Sequence, residues 1–358
     1  EMFHPLRLTS EEAYIFLKQI EDIESTGILC RIPNWWKRKA AQVSMSVSMG
    51  EEKPSMLGFD TLVSMRPELT VDGVPLSRED IELLLAQTDG LAFLKGKWIE
   101  VDHERLKKLL EEMEEVPEDL TLMDALRLEL GTGKASADVG QLVTNGAWLS
   151  SLLMNLRKPE SIRKAVLPKS FRATLRPYQS SGFTWLNYMD KLGFGACLAD
   201  DMGLGKTVQV LAYLEKLRKT NQRAQALLVV PASLIGNWQK EAEKFAPSLD
   251  FQVLHGKTAP KLGEEFRGSS TFLTITTYGM VTRIKELQEV QWECVILDEA
   301  QAIKNPLTRQ TKEIKKLSSR MRIAMTGTPI ENELANLWSL FDFLNKGLLG
   351  TSAEVNEF

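Results

Sequence analysis

Asp200-Asp201-Met202-Gly203-Leu204-Gly205-Lys206-Thr207 lies between an apolar stretch, Phe194 to Ala199, and a run in which Val208, Leu211, Leu214 and Leu217 recur at helical spacing. A strand, a glycine-bearing loop and a helix in that order form a phosphate cradle. Backbone N–H groups close around phosphate oxygens, and the helix N-terminus adds its dipole. In that chemistry Gly203 and Gly205 open the backbone, Lys206 reaches the β and γ phosphates, and Thr207 ligates Mg²⁺. The general pattern asks for Gly where Asp200 stands, so the loop alone is an incomplete signature. Gly131-Thr132-Gly133-Lys134 imitates it, but Ala135 follows and no strand precedes, so it reads as an ordinary loop.

About 90 residues further on, Val295-Ile296-Leu297 reads as a buried strand ending in Asp298-Glu299-Ala300-Gln301. Doubly wound folds bind ligands at the C-terminal ends of their strands, where this acidic pair falls. Asp298 is placed to hold Mg²⁺, directly or through water, and Glu299 to orient and deprotonate an attacking water. An acidic pair after a strand also serves as a helix cap. The phosphate loop upstream is what favours the catalytic reading.

The elements that must position these residues follow from periodicity. From Phe171 onward, apolar runs (Ala224 to Val230, Phe272 to Thr276, Cys294 to Leu297, Arg322 to Met325) alternate with helical stretches such as Thr207 to Leu217 and Leu234 to Phe245. Continuous apolar strands alternating with helices predict an α/β fold, a parallel sheet covered on both faces. The preceding half predicts an α+β domain. Thr9-Ser10-Glu11-Glu12 and Ser77 cap helices, Asp72-Gly73 turns one hairpin, Lys95-Gly96 turns another, and Arg105 to Met113 reads as a charged helix. The expected division is an accessory domain over 1–125, a helical connector over 126–170 and a nucleotide lobe over 171–358.

The chain has 358 residues, with 44 Lys and Arg against 48 Asp and Glu, for a net charge of −4. Between residues 1 and 167 there are 20 basic and 28 acidic residues, so the remainder carries the positive balance that suits a polyanion. A hydrophobic content of 43% excludes a disordered polymer. The three cysteines, Cys30, Cys197 and Cys294, are far apart, and the three histidines share no ligand spacing; this predicts a reducing, cytoplasmic setting without zinc. No apolar run approaches the roughly 18 residues of a membrane span. The chain opens on Glu1 rather than Met, as expected of a segment excised from a longer one.

The chain resembles the first motor lobe of Swi/Snf-type ATPases of helicase superfamily two. The resemblance is carried in order by Leu175-Arg176-Pro177-Tyr178-Gln179, Asp200 to Thr207, Val229-Val230-Pro231 with Leu234 and Asn237-Trp238, Thr276-Thr277-Tyr278, Asp298 to Gln301, and Thr326-Gly327-Thr328-Pro329-Ile330 with Leu337-Trp338-Ser339-Leu340. It implies a RecA-like lobe that binds ATP and Mg²⁺ and translocates on double-stranded DNA, associated with the nucleoid. Arg176, Tyr178 and Gln179 would build the adenine pocket, and Asp200 to Thr207 would hold the phosphates. Lys206, Asp298, Glu299 and Gln301 would form the hydrolytic set. Ser233, Leu234, Trp238 and Thr276 to Tyr278 match segments that track the DNA backbone, and Thr326 to Pro329 match the motif linking hydrolysis to DNA. A second lobe, which in the family completes the ATP site with arginines, is absent from this sequence, so the expectation is weak nucleotide binding and slow hydrolysis or none. An RNA-dependent ATPase and a non-enzymatic, nucleotide-gated interaction module are the alternatives.

Helical spacing also allows Trp238 and Trp338 to be core packing, and Lys312, Lys315, Lys316 and Arg320 to be a solvated basic face. The N-terminal half resembles the accessory domain preceding the motor in a group of bacterial Swi/Snf-type proteins, through Pro33-Asn34-Trp35-Trp36 and Gly96-Lys97-Trp98-Ile99-Glu100-Val101. Trp35-Trp36-Lys37-Arg38-Lys39 is either a DNA contact or a tryptophan anchor before an exposed turn. The acidic balance of this half suits a protein partner or regulation of the motor better than a duplex.

Overall fold

The structure is a computed structural model that describes residues 7–37, 41–130, 143–200, 203, 205–256, 270–327 and 334–351. The chain divides into two compact units, one comprising residues 1–53, 62–120 and 134–150, the other 54–61, 121–133 and 151–358.

The first unit is built on a mixed sheet. Its central strand β1 (Ala41–Met49) alternates, burying Val43, Met45, Val47 and Met49 between outward serines. It pairs antiparallel with β2 (Leu62–Val71), from Val43 opposite Val71 to Met49 opposite Met65. Strand β3 (Val74–Pro75) folds back onto β2 through Asp72 and Gly73, both at positive φ (49° and 78°), as a two-residue hairpin of this twist requires. Strands β4 (Gly90–Leu94) and β5 (Lys97–Val101) form the second hairpin, and β5 runs parallel to β1. Two short strands complete the sheet, β6 (Asp119–Thr121) against β2 and β7 (Val143–Asn145) against β1. Helix Ser10–Lys18 starts on a Thr9–Glu12 capping box and helix Arg78–Ala86 on Ser77–Asp80. Helix His103–Glu115 is capped by Asp102, and its Leu106 joins Val47, Leu69, Leu84 and Ile99 in the core. Trp35 and Trp36 pack edge-to-face beside Leu17, Ile20 and Leu91, which is the anchor arrangement; Arg38 and Lys39 lie outside the described residues.

The second unit carries a six-stranded parallel sheet. Its strands are β8 (Ala196–Leu198), β9 (Ala226–Val230), β10 (Phe251–Leu254), β11 (Leu273–Thr277), β12 (Gln291–Leu297) and β13 (Ser318–Met325), in the order β10-β11-β9-β12-β13-β8. Every residue of β9 is 0% exposed, the signature of a strand covered on both faces. The order places β13 between the strand before the phosphate loop and the strand before the acidic pair, so three strand ends meet at one edge.

The expected connector over 126–170 is not a body of its own. Val143–Asn145 adds to β1 of the first unit, whereas Leu122 bonds the Thr61 carbonyl, Arg127 Nε donates to the Gly347 carbonyl at 3.0 Å and Arg157 pairs with Glu129 in the second. Phe59, from the excursion 54–61, stacks on Phe194 at 4.3 Å. The lobe is therefore completed by two segments that precede it in the chain. Gly131 to Lys134 lies outside the described residues. Among the described residues, no helix is long and apolar enough to cross a membrane.

Gly195, at the entry to β8, is held from both sides by Asn345. Its N–H donates to Asn345 Oδ1 at 2.7 Å and its carbonyl accepts from Nδ2 at 3.3 Å. A Cβ there would lie 2.3 Å from the Leu344 carbonyl oxygen, a backbone atom that cannot swing away. Gly195→Ala is expected to destabilise the lobe by about 1–3 kcal/mol, lowering the calorimetric Tm by about 2–4 °C per kcal/mol. An unchanged Tm would show that this approach is looser than described.

Candidate nucleotide-hydrolysis site

The phosphate loop leaves β8 at Ala199 and re-enters regular structure at Lys206, the first residue of helix Lys206–Thr220. Gly205 caps that helix in the left-handed region (φ 75°), as Gly203 precedes it (φ 83°), a conformation that costs an ordinary L-residue about 1–2 kcal/mol. A Cβ on Gly205 would also meet Gln179 Nε2 at 2.4 Å, so the Gln179 amide lies against the loop. Gln179 is buried in the first turn of helix Pro177–Leu192, where its Oε1 accepts the Arg176 N–H at 2.9 Å, while Arg176 and Tyr178 are exposed beside it. That is an amide fixed against the loop with a cation and an aromatic ring at its rim. Asp201, Met202 and Leu204 lie outside the described residues.

Asp200, at the position where the pattern asks for glycine, is occupied at both ends. Its carbonyl accepts the Lys206 ammonium and its Oδ2 accepts Gln209 Nε2 at 3.0 Å. Gln209 has no motif signal in the sequence. It is fully buried, and its Oε1, without a hydrogen-bond partner among the described residues, faces Gly182, where a Cβ would fall only 1.8 Å from that oxygen. Asp200 is thus a residue tied to the helix it precedes, which explains why a side chain is tolerated there.

Across the sheet, β12 delivers Asp298, 8% exposed. Its Oδ1 accepts the Glu299 N–H at 2.9 Å and its Oδ2 the Trp238 indole N–H at 2.7 Å. Burial pushes the Asp298 carboxyl above the ordinary aspartate range, opposed by these two hydrogen bonds and by the Lys206 ammonium, with the Glu299 charge adding to the rise. Glu299 itself adopts φ 49°, ψ 55°, a left-handed conformation that costs a non-glycine residue about 1–2 kcal/mol and turns its side chain toward Gln301. Gln301 Nε2 donates to Glu299 Oε2 at 2.5 Å, and Gln301 Oε1 accepts from Thr326 Oγ1 at 3.1 Å. Thr326 is held in turn by its N–H on the Leu198 carbonyl of β8. The ends of β8, β12 and β13 are therefore joined by one line of hydrogen bonds that finishes on the Glu299 carboxylate. Gly327 follows Thr326; Thr328 and Pro329 lie outside the described residues.

The segments expected to track DNA are corrected in part. Trp238 is 1% exposed and Tyr278 6%, because both side chains project inward to Asp298, the Tyr278 hydroxyl donating to its carbonyl at 2.6 Å. Thr276 is 0% exposed and donates to the Leu254 carbonyl, and Thr277 caps the turn at Met280. These four side chains have no surface to offer a duplex. Ser233 and Gly279 are exposed in the same segments, and Leu234 is half-buried. In the basic face, Lys315 pairs with Asp342 at 2.9 Å and lies over the Trp338 ring, Lys316 pairs with Glu313, and Arg320 with Asp190 and Glu293, so three of the four cations have carboxylate partners.

Cys197 sits on β8 just before the loop, where burial pushes its thiol up to about 11 despite the nearby Lys206 charge. Since the thiolate is the reactive form, Cys197 should react with a disulfide reagent about 10²-fold more slowly than an ordinary thiol at neutral pH, and faster as pH rises toward that value. Thiol labelling of the folded and unfolded chain checks this; rapid labelling of Cys197 in the folded chain would refute it.

Comparison with known proteins matches this arrangement. The profile of the SNF2-related domain family covers residues 178–357, from the first turn of helix Pro177–Leu192 past Thr326. The chain belongs to the SNF2-related domain family. A second profile, described as SNF2 Helicase protein, covers residues 1–130. The putative ATP-dependent helicase/translocase YwqA of Bacillus subtilis is 35% identical over 364 residues, covering 96% of this chain and 39% of its own length. The TATA-binding protein-associated factor MOT1 of Saccharomyces cerevisiae is 31% identical over 250 residues, 66% of this chain and 13% of its own. The solved SWI2/SNF2 ATPase core of Sulfolobus solfataricus in complex with dsDNA is 45% identical, with a TM-score of 0.51 over 55% of this chain and 41% of its own. This SNF2-related chain thus spans about two-fifths of YwqA or less of the relatives it matches. Its parallel sheet is the one expected from the alternation of apolar strands and helices, and its RecA-like lobe the one that the resemblance implied.

Proposed function

We propose that this chain is the ATP-binding half of a DNA-dependent ATPase that moves along double-stranded DNA, with ATP and Mg²⁺ as cofactors and the cytoplasmic nucleoid as its place of work. The observation that carries the reading is the line Thr326–Gln301–Glu299, because a carboxylate aimed by its neighbours beside a phosphate loop is what water attack on a γ phosphate needs. Gln179, with Arg176 and Tyr178, binds the base; the loop from Asp200 to Thr207 holds the phosphates. Glu299 takes the proton of the attacking water, and the Lys206 ammonium faces the charge that develops on the phosphoryl oxygens.

Asp298 and Thr207 fit Mg²⁺. Both offer oxygen, the hard donor this ion prefers, and a carboxylate with four lone pairs keeps two directions open beyond its bonds to Trp238 and Glu299. When bound, Mg²⁺ supplies charge neutralisation on the phosphates.

The DNA reading is supported by the relative solved with dsDNA and by the exposed Ser233 beside the sheet edge. Competition of unlabelled duplex DNA or duplex RNA against a fluorescent DNA duplex tests it. DNA should compete better by about tenfold, and log K should fall linearly with log salt. Equal competition by RNA would overturn the DNA assignment. The acidic N-terminal unit fits a protein partner or regulation of the motor.

A further inference from the structure

Two chain segments that reach the surface after the neighbouring strands β9 and β11 each send one buried side chain to the same residue. Helix Ile235–Phe245 begins two residues after exposed Ser233, and its inward face carries Ile235, Trp238 and Ala242. Trp238 reaches the Asp298 carboxylate at Oδ2, 2.7 Å away. The turn after β11 exposes Gly279, and the residue before it, Tyr278, donates its hydroxyl to the Asp298 carbonyl at 2.6 Å. One segment therefore holds the side chain of Asp298 and the other its main chain. The strands that lead into these segments, β9 and β11, are neighbours, and β9 also pairs with β12 up to Leu297 beside Asp298.

Neither contact has slack. The indole is 1% exposed and the phenol 6%, so moving either backbone must move the hydrogen bond rather than a loose rotamer. The remaining Asp298 oxygen is fixed by the Glu299 N–H at 2.9 Å, and the Asp298 N–H by the Val229 carbonyl at the end of β9. The carboxylate plane is thus set by Trp238 and the residue's height on the strand end by Tyr278. A ligand that presses on the exposed parts of these segments acts on a carboxylate it never touches.

We infer that Trp238 and Tyr278 are positioning residues that couple duplex contact at the surface to the Mg²⁺-holding geometry of Asp298. This rests on the DNA-dependent ATPase reading and adds to it a route between the two ligands. By linkage, duplex and Mg²⁺–nucleotide must each change the affinity of the other by one and the same factor, and couplings of this kind run to about 5–150-fold.

The test is calorimetric binding of ADP to the 358-residue chain at graded Mg²⁺ concentrations, with and without a saturating DNA duplex. The wild-type chain should show a half-saturating Mg²⁺ concentration that duplex lowers about fivefold or more. Trp238→Phe, which removes the indole donor and leaves a smaller ring, and Tyr278→Phe, which removes the hydroxyl and keeps the ring, should reduce that factor toward one while duplex affinity and Mg²⁺-free ADP affinity stay within about twofold of wild type. Tyr278→Phe removes a single oxygen and guards against failure of the tryptophan variant to fold. A factor unchanged in both variants overturns the inference and leaves the DNA reading standing. Loss of the factor together with both separate affinities overturns it in favour of a general packing role. A wild-type chain that binds no duplex overturns the DNA reading itself, and the inference with it.

Discussion

Lys206→Ala is expected to weaken nucleotide binding by about 10–150-fold and to lower any hydrolysis by about 10²–10³-fold. The lysine begins helix Lys206–Thr220, and its ammonium already spans the loop to the Asp200 carbonyl. It is close enough to Asp298 to oppose the rise of that carboxyl. A single cation thus stands between the loop carbonyl and the acidic strand end, where β and γ phosphates would bring their own negative charge. Charge-assisted hydrogen bonds contribute about 1.5–3 kcal/mol each, so losing one accounts for a fall in affinity of about 10–150-fold before any effect on the chemical step. Lys206→Arg should not restore binding, because a planar fork does not replace a compact ammonium at the mouth of a tight loop. Titration calorimetry with ADP reads the affinity and thermal unfolding reads the fold. The Tm should stay within about 2 °C, since a half-buried lysine at a helix start adds little to stability. Unaltered ADP affinity in Lys206→Ala would remove the phosphate-loop assignment altogether.

The parts of the fold written in local sequence are those with a single strong cause. The capping pairs Thr9–Glu12 and Ser77–Asp80, the Asp72-Gly73 and Lys95-Gly96 hairpins, and the apolar runs of β9, β11, β12 and β13 all appear where their residue types predict them. Strand β1 was legible in principle from the alternation of Val43, Met45, Val47 and Met49 with serines, yet its neighbours β2, β5 and β7 come from three separate stretches that no local pattern links. The unit division was hidden for the same reason, since nothing in the composition of 54–61 or 121–133 says that Phe59 stacks on Phe194 or that Arg127 reaches Gly347. In the site, motif spacing identified the residues that carry charge but not the ones that hold them. Gln209 and the inward roles of Trp238 and Tyr278 depend on which face of a helix or turn meets Asp200 and Asp298, a property of packing between segments far apart in the chain.

Glu299→Gln should separate binding from hydrolysis. The substitution keeps size and leaves an oxygen for Gln301 Nε2, so the line from Thr326 can persist, while the group that takes the proton of water is gone. General-base contributions are typically 10²–10⁴-fold, so single-turnover hydrolysis should fall by about that much with ADP affinity changed by less than about threefold. Thr326→Val tests what the line adds. It removes the hydroxyl that donates to Gln301 Oε1 at 3.1 Å while keeping the shape of a side chain that is 1% exposed. Without that anchor Gln301 can rotate, and Glu299, already held in a strained left-handed conformation, loses the neighbour that aims it. A drop of about tenfold in hydrolysis is expected from Thr326→Val alone, an order of magnitude short of losing the base. In the Glu299→Gln background the same change should have almost no further effect, because a positioning contact has nothing left to position, and the departure from additivity is the quantity to measure. Fully additive losses would mean that Thr326 acts on hydrolysis by a route that bypasses Glu299, and the hydrogen-bonded line would then be a feature of the strand ends without a part in aiming the carboxylate.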